Sequence, residues 1–186
     1  YMSKLDFVKK LYNGKNCYSD HMGESELQLL HISSKAEGII VDNIKHGNIV
    51  FLTGNPGDGK TFIIKVVRHK IGEDVYIQTD LNNIKDYSKV VKDLVTLHSQ
   101  KKPAIVAVNE YPFMQLCRQI RNESRALYDE IQNAKRNILA YDIYNPLVSN
   151  VPVVDLNQRN MLVPDYDLHS GLINKMVSLL EEDAKH

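Results

Sequence analysis

Residues 51 to 64 read FLTGNPGDGKTFII: two apolar runs enclosing three glycines, a lysine and a threonine. Glycine loses more conformational freedom on folding than any other residue and brings no side chain to pack. Three glycines in six positions, between two segments destined for a core, are there for their backbone. The run NIVFLT (residues 48–53) is too short for a helix and rich in β-branched and aromatic residues, so it reads as a buried strand. Beyond the glycines, Ile63, Val66, Val67 and Ile71 recur at helical spacing, which predicts a helix over residues 60–70 ending at Gly72. The glycines therefore sit in a strand–loop–helix junction.

Gly54-Asn55-Pro56-Gly57-Asp58-Gly59-Lys60-Thr61 fits the pattern G-x-x-x-x-G-K-[ST] in the context that pattern requires. Without Cβ atoms in the way, successive backbone N–H groups can curl around a phosphate, and the helix N-terminus adds unpaired donors and a favourable dipole. Lys60 is expected to bridge the β- and γ-phosphates and Thr61 to give its hydroxyl to Mg²⁺. Gly54 to Thr61, together with Phe62, form the candidate nucleotide-binding segment. ATP and Mg²⁺ are the expected ligands.

The same patterning extends along the chain. Short helices are expected over residues 4–12 and 24–32, and a longer one over 34–46 closed by Gly47. VYIQT (75–79), AIVAV (104–108) and VPVVDL (151–156) read as further strands, with Pro152 suited to a strand start or an edge. Helices are expected over 83–100, over 113–139 with Leu116, Ile120, Leu127, Ile131, Ala134 and Ile138 as its stripe, and over 170–183. Alternation of apolar strands with helices predicts an α/β fold, a parallel sheet of about four to five strands with helices on both faces; together with the glycine motif, the expectation is a three-layer P-loop NTPase fold. The expected organisation is a helical segment over residues 1–47 leading into a core over 48–186.

Composition narrows the class. Twenty-three basic residues balance twenty-three acidic ones among 186, so no overall basic character points to nucleic acid, although a local patch is open. Arg118, Arg121 and Arg125 would share one face of a continuous helix, facing DNA phosphates or a neighbouring subunit's nucleotide, or else simply solvent. No apolar run is long enough to cross a membrane, and two cysteines a hundred residues apart suit a reduced, cytoplasmic protein. Seven histidines include no H-E-x-x-H or Cys/His cluster, so no metal beyond Mg²⁺ is expected. Tyr1 ahead of Met2 reads as an added residue, and the chain as a trimmed piece of something larger.

Hydrolysis needs a metal-facing group and a water-positioning group at the carboxyl end of a neighbouring strand. Two stretches qualify: Asn109-Glu110 after AIVAV, and Asp155-Leu156-Asn157 at the end of VPVVDL. Asp80 after the second strand reads better as a helix cap.

GNPGDGKT, AIVAVNE and VVDLNQR together resemble AAA+-type P-loop ATPases over roughly residues 48–160. The resemblance implies that AIVAVNE is the Walker B element, with Asn109 at the metal-facing position where an aspartate is usual and Glu110 as the water-activating base. It implies that Asn157 is the residue that orients the water, Asp155 being an alternative metal ligand. An amide holds Mg²⁺ less tightly than a carboxylate, so binding should survive and turnover be slow. The wording also resembles ATPase subunits of bacterial anti-phage systems, the phosphorothioation-dependent restriction ATPase among them. This implies antiviral defence, DNA, and partner subunits or a homo-oligomer. A fifth strand and a helical lid with an arginine sensor, usual in AAA+ modules, are not found; Arg159 and Arg136 are the candidate arginine fingers. The competing readings are a non-hydrolysing nucleotide switch or interaction module and a small-molecule kinase.

Overall fold

A computed structural model describes residues 31, 33–79, 81, 84–139, 150–158, 177–178 and 181. The chain divides into two compact units, residues 35–158 and the two ends together (1–34 with 159–186). Every element described below belongs to the first. The helices expected over 4–12, 24–32 and 170–183, and Asp80 and Arg159, lie outside the described residues or almost wholly so.

The order is α1 (Lys35–Lys45), β1 (Ile49–Thr53), α2 (Lys60–Arg68), β2 (Tyr76–Gln78), α3 (Ser88–Ser99), β3 (Ala104–Val108), α4 (Glu110–Glu123), α5 (Arg125–Leu139) and β4 (Val153–Asp155), which runs into a 3₁₀ turn, Leu156–Gln158. Four strands form one all-parallel sheet in the order β2-β3-β1-β4. The loop-bearing β1 is flanked directly by β3 and β4.

The two central strands are buried throughout because both faces of the sheet are covered. Side chains alternate along a strand, so β1 sends Ile49 and Phe51 to one layer and Val50 and Leu52 to the other. The first layer packs on α3, α4 and α5 through Val91, Leu94, Leu116, Ile120, Leu127 and Ile131. The second packs on α1 and α2 through Ile40, Ile44, Ile63, Ile64 and Val67. The molecule is thus α/β with helices on both faces, as the alternation predicted. Burying each such side chain contributes about 1.5–3 kcal/mol. Phe51 is fully buried and meets Phe113 with ring centroids 5.2 Å apart.

Several boundaries differ from expectation. Helix α3 starts at Ser88, not at residue 83, because the Asp86 carboxylate accepts the Ser88 backbone N–H (2.9 Å) and hydroxyl, closing a turn ahead of the helix. The same bonds hold the Asp86 carboxyl below its usual value. The helix expected over 113–139 is two helices: Ser124 is extended (φ −146°, ψ 103°), and its hydroxyl accepts the Leu127 N–H at 3.3 Å, capping α5. The apolar stripe stays in phase across the break, with Leu116, Ile120, Leu127, Ile131 and Ala134 all buried, so periodicity hid it. Helix α4 also begins three residues early, since Pro112 is tolerated in a first turn where its missing N–H is not needed. β4 is shorter than expected, and Pro152 directly precedes it on the sheet edge. No helix of the described residues is long and apolar enough to cross a membrane.

Candidate functional site

Register fixes where the three motifs meet. Thr53 pairs with Val108 of β3 on one side and with Asp155 of β4 on the other. The next residue of each strand, Gly54, Asn109 and Leu156, therefore leaves the sheet at the same edge. This is the carboxyl end of parallel strands, where open α/β sheets bind ligands.

The loop's shape depends on its glycines. Gly54, Gly57 and Gly59 have φ of 145°, 92° and 85°, which side chains rarely adopt. At Gly54 a Cβ would also stand 2.7 Å from Asp58 Oδ2 and 3.2 Å from Leu156 Cβ, so the loop root is packed against the end of β4. The Asn55 N–H donates to Asp58 Oδ2 (2.5 Å) and the Asp58 N–H to the Asn55 carbonyl (3.2 Å), closing the loop on itself. Gly59 then stands in the left-handed region as the N-cap of α2, with no side-chain cap and no acidic residue in the first turn. No side chain of the cap position or first-turn acid neutralises this end of the helix, and an anion there would match the dipole.

Lys60 folds back over the loop. Its Nζ donates to the carbonyls of Gly54 (2.9 Å) and Asn55 (2.7 Å). Desolvation pushes its pKa below the ordinary lysine value, and the carboxylates of Asp58 and Asp155 oppose that shift. Thr61 and Phe62 lie in the first turn of α2, both half-buried, and Phe62 packs on the apolar layer beneath.

The other motifs close over the loop. Asn157 Oδ1 accepts from Asn55 Nδ2 at 2.8 Å, and Asn157 Nδ2 reaches Glu110 Oε1 at 3.5 Å. The Asn157 N–H donates to Asp155 Oδ1 at 3.0 Å, which sets the turn that aims the amide. Glu110 is the first residue of α4, where a carboxylate suits the helix dipole, and it is exposed. Asn109 is the half-buried N-cap of α4 without a side-chain cap bond. So Asn55, Lys60, Glu110, Asp155 and Asn157, scattered over a hundred residues, form one polar cluster.

Asp58, one of the candidate nucleotide-binding residues, turns its carboxylate onto the Asn55 N–H and so holds the loop closed. Thr53, a β-branched polar residue ending an apolar run, is buried at the end of β1, directly before Gly54. Of the candidate arginine fingers, Arg136 lines a groove beside α4 and α5.

No family model, no curated protein and no solved structure matches the chain.

The donors fit a polyphosphate: a glycine backbone open to approach, an uncapped helix start and a desolvated ammonium. Among the described residues no group of three His, Cys, Asp or Glu side chains could hold a metal alone. Mg²⁺ would need only one or two protein oxygens, completing its shell with phosphates and water.

Proposed function

We propose that this chain binds Mg-ATP and hydrolyses it, as the P-loop ATPase module of a larger protein of AAA+ type. What carries the reading is the Asn55–Asn157–Glu110 connection, which brings a phosphate-binding loop, a carboxylate and an amide within hydrogen-bond reach. The loop backbone and Lys60 hold the β- and γ-phosphates, Lys60 exchanging two carbonyl partners for phosphate oxygens. Thr61, with Asn109 or the Asp155 carboxylate, would hold Mg²⁺, which supplies neutralisation of phosphate charge. Glu110 accepts a proton from a water held by Asn157. The water oxygen bonds to the γ-phosphorus, the bond to the bridging oxygen breaks, and ADP and phosphate result. The resemblance of the three motifs suggests bacterial anti-phage defence as the setting.

A second reading, a nucleotide switch that does not hydrolyse, is favoured by one feature: Asn109 is a neutral amide where a carboxylate would bind Mg²⁺ better.

The test is equilibrium binding of ATP, ADP and GTP with Mg²⁺ to wild type and Lys60→Ala, followed by phosphate release. Lys60→Ala removes a charge-assisted contact worth about 1.5–3 kcal/mol, roughly a 10- to 150-fold loss of affinity. Adenine-nucleotide binding lost in Lys60→Ala, with turnover lost in Glu110→Gln, supports hydrolysis. Binding without turnover supports the switch. No binding at millimolar nucleotide rejects both.

A further inference from the structure

Helix α4 carries an unusual exposed stripe. Tyr111, Met114, Arg118 and Arg121 follow one another at spacings of three, four and three, so they share one face. Tyr111 is 67% and Met114 48% exposed; among the described residues Val177 is the one other large apolar side chain so exposed. An exposed aromatic and an exposed methionine beside two arginines is a composition that a merely solvated face does not need.

The stripe leads into a groove of about 490 Å³ lined by Arg121, Arg125, Tyr128, Asp129, Asn133 and Arg136. A smaller hollow adjoins it, shares Arg121 and Tyr128, and adds Met114, Arg118 and Lys135. Five cations thus line the two hollows with one carboxylate, Asp129, on a chain whose formal charges balance. The other acids of these helices are engaged or turned away: Glu130 pairs with His98 (3.3 Å), Glu110 belongs to the site above, and Glu123 does not line the groove.

The arginines are held for use. The guanidinium carbons of Arg121 and Arg125 stand 5.8 and 5.6 Å from the centroid of the Tyr128 ring. A cation over a ring is positioned without using its N–H donors. Asp129 takes only the Nε edge of Arg125, at 3.1 Å, leaving the terminal fork. Arg118, Arg121 and Arg136 make no ion pair with any described residue. Arg125 is also the first residue of α5, whose first turn has no acidic residue. A cation at a helix N-terminus opposes the dipole. Broken local rules of this kind concentrate at functional positions.

We propose that the α4–α5 face is a binding track for single-stranded nucleic acid, its arginines on successive phosphates and Tyr111 under an unpaired base. Guanidinium forks suit phosphate oxygens, and a groove furnished with donors suits a ligand made of acceptors. The exposed aromatic selects a strand whose bases are free to stack, since a duplex would offer this face only its backbone.

The experiment is fluorescence anisotropy of a dye-labelled, mixed-sequence DNA single strand on the full chain, with its annealed duplex and polyglutamate as competitors. With about three to four phosphates engaged, log affinity should fall against log salt with a slope of about −2 to −3. Arg121→Gln with Arg136→Gln should lower affinity at least about tenfold and flatten that slope. Tyr111→Ala should lower it about fivefold or more and leave the slope unchanged. Asn133→Glu adds a negative charge to the groove without removing any packing, so it must weaken binding even if the arginine variant fails to fold. Lys60→Ala should bind the strand as wild type does, whatever the fate of nucleotide binding. The proposal is overturned by absence of strand binding at low salt, by equal affinity for duplex, or by Asn133→Glu binding like wild type. Polyglutamate displacing the strand as well as unlabelled DNA does overturns it too, in favour of an acidic peptide.

Discussion

The loop at the start of α2 and the face along α4 and α5 both break the rules of stable secondary structure, in opposite ways. The loop is stripped of side chains: three glycines at positive φ, an uncapped helix start and one lysine folded inward. The α4–α5 face is crowded with long side chains, and Arg125 stands at a helix N-terminus where an acid would be stabler. Backbone donors in a fixed cradle suit one compact anion approached closely. Guanidiniums on long stems suit a ligand that is extended and repetitive. Helix α4 joins the two regions, since Glu110 opens it and Arg118 and Arg121 lie further along the same helix.

The largest expected effect falls on the chemistry. Glu110→Gln keeps the size of the side chain and a possible bond to Asn157 while removing the base. Turnover should drop about 10²- to 10⁴-fold with nucleotide affinity nearly unchanged. Equal loss of affinity would instead make Glu110 a binding residue. On the scaffold side, Leu116→Ala hollows out a fully buried position beneath α4 and should cost about 2–5 kcal/mol in a denaturant melt. It tests whether the arginine face depends on the layer below it.

Next come the glycines. Gly54→Ala combines a φ of 145° with a contact at 2.7 Å to Asp58, and should cost about 1–3 kcal/mol while impairing nucleotide binding. Gly47→Ala runs into the Lys101 carbonyl oxygen at a φ of 77°, so it should destabilise the fold comparably or more. Its affinity for nucleotide, measured well below the melting point, should stay at wild type. If both variants lose affinity alike, the loop has no special standing.

Much of this was legible in the sequence, for physical reasons that differ by element. β1 and β3 are apolar runs enclosed by turn residues, and burial on both faces permits nothing else. The loop is legible because glycine at three close positions has few other uses. The break at Ser124 was not, because Leu116, Ile120, Leu127 and Ile131 stay in phase across it and a single serine is common within helices. Nor was the bond from Asn55 to Asn157, since contact between residues 102 apart is set by strand order, which periodicity does not encode. Ser124→Ala sharpens the point. It removes the hydroxyl that caps α5 and should cost about 1 kcal/mol. If the two helices instead fuse, Tyr128 should part from Arg121, and strand affinity on the arginine face should fall with no change at the loop.

The smallest effect is a pH dependence of the loop. Desolvation lowers the Lys60 pKa from 10.5, against the opposing fields of Asp58 and Asp155. Between that lowered value and 10.5 the unfolded chain holds more protons than the folded one, so the contribution of Lys60 to stability rises with pH there. Bound phosphate acts the other way, favouring the ammonium, so nucleotide affinity should fall as pH climbs through the same window. Lys60→Arg keeps its charge throughout and should abolish the fall. The guanidiniums of the α4–α5 face do not titrate in that range, so salt should govern their contacts. Nucleotide titrations from neutral pH to 10.5, on wild type and Lys60→Arg, measure the difference. An identical alkaline decline in both would mean that Lys60 is not the group contacting phosphate, and the contrast between the two regions would lose its electrostatic basis.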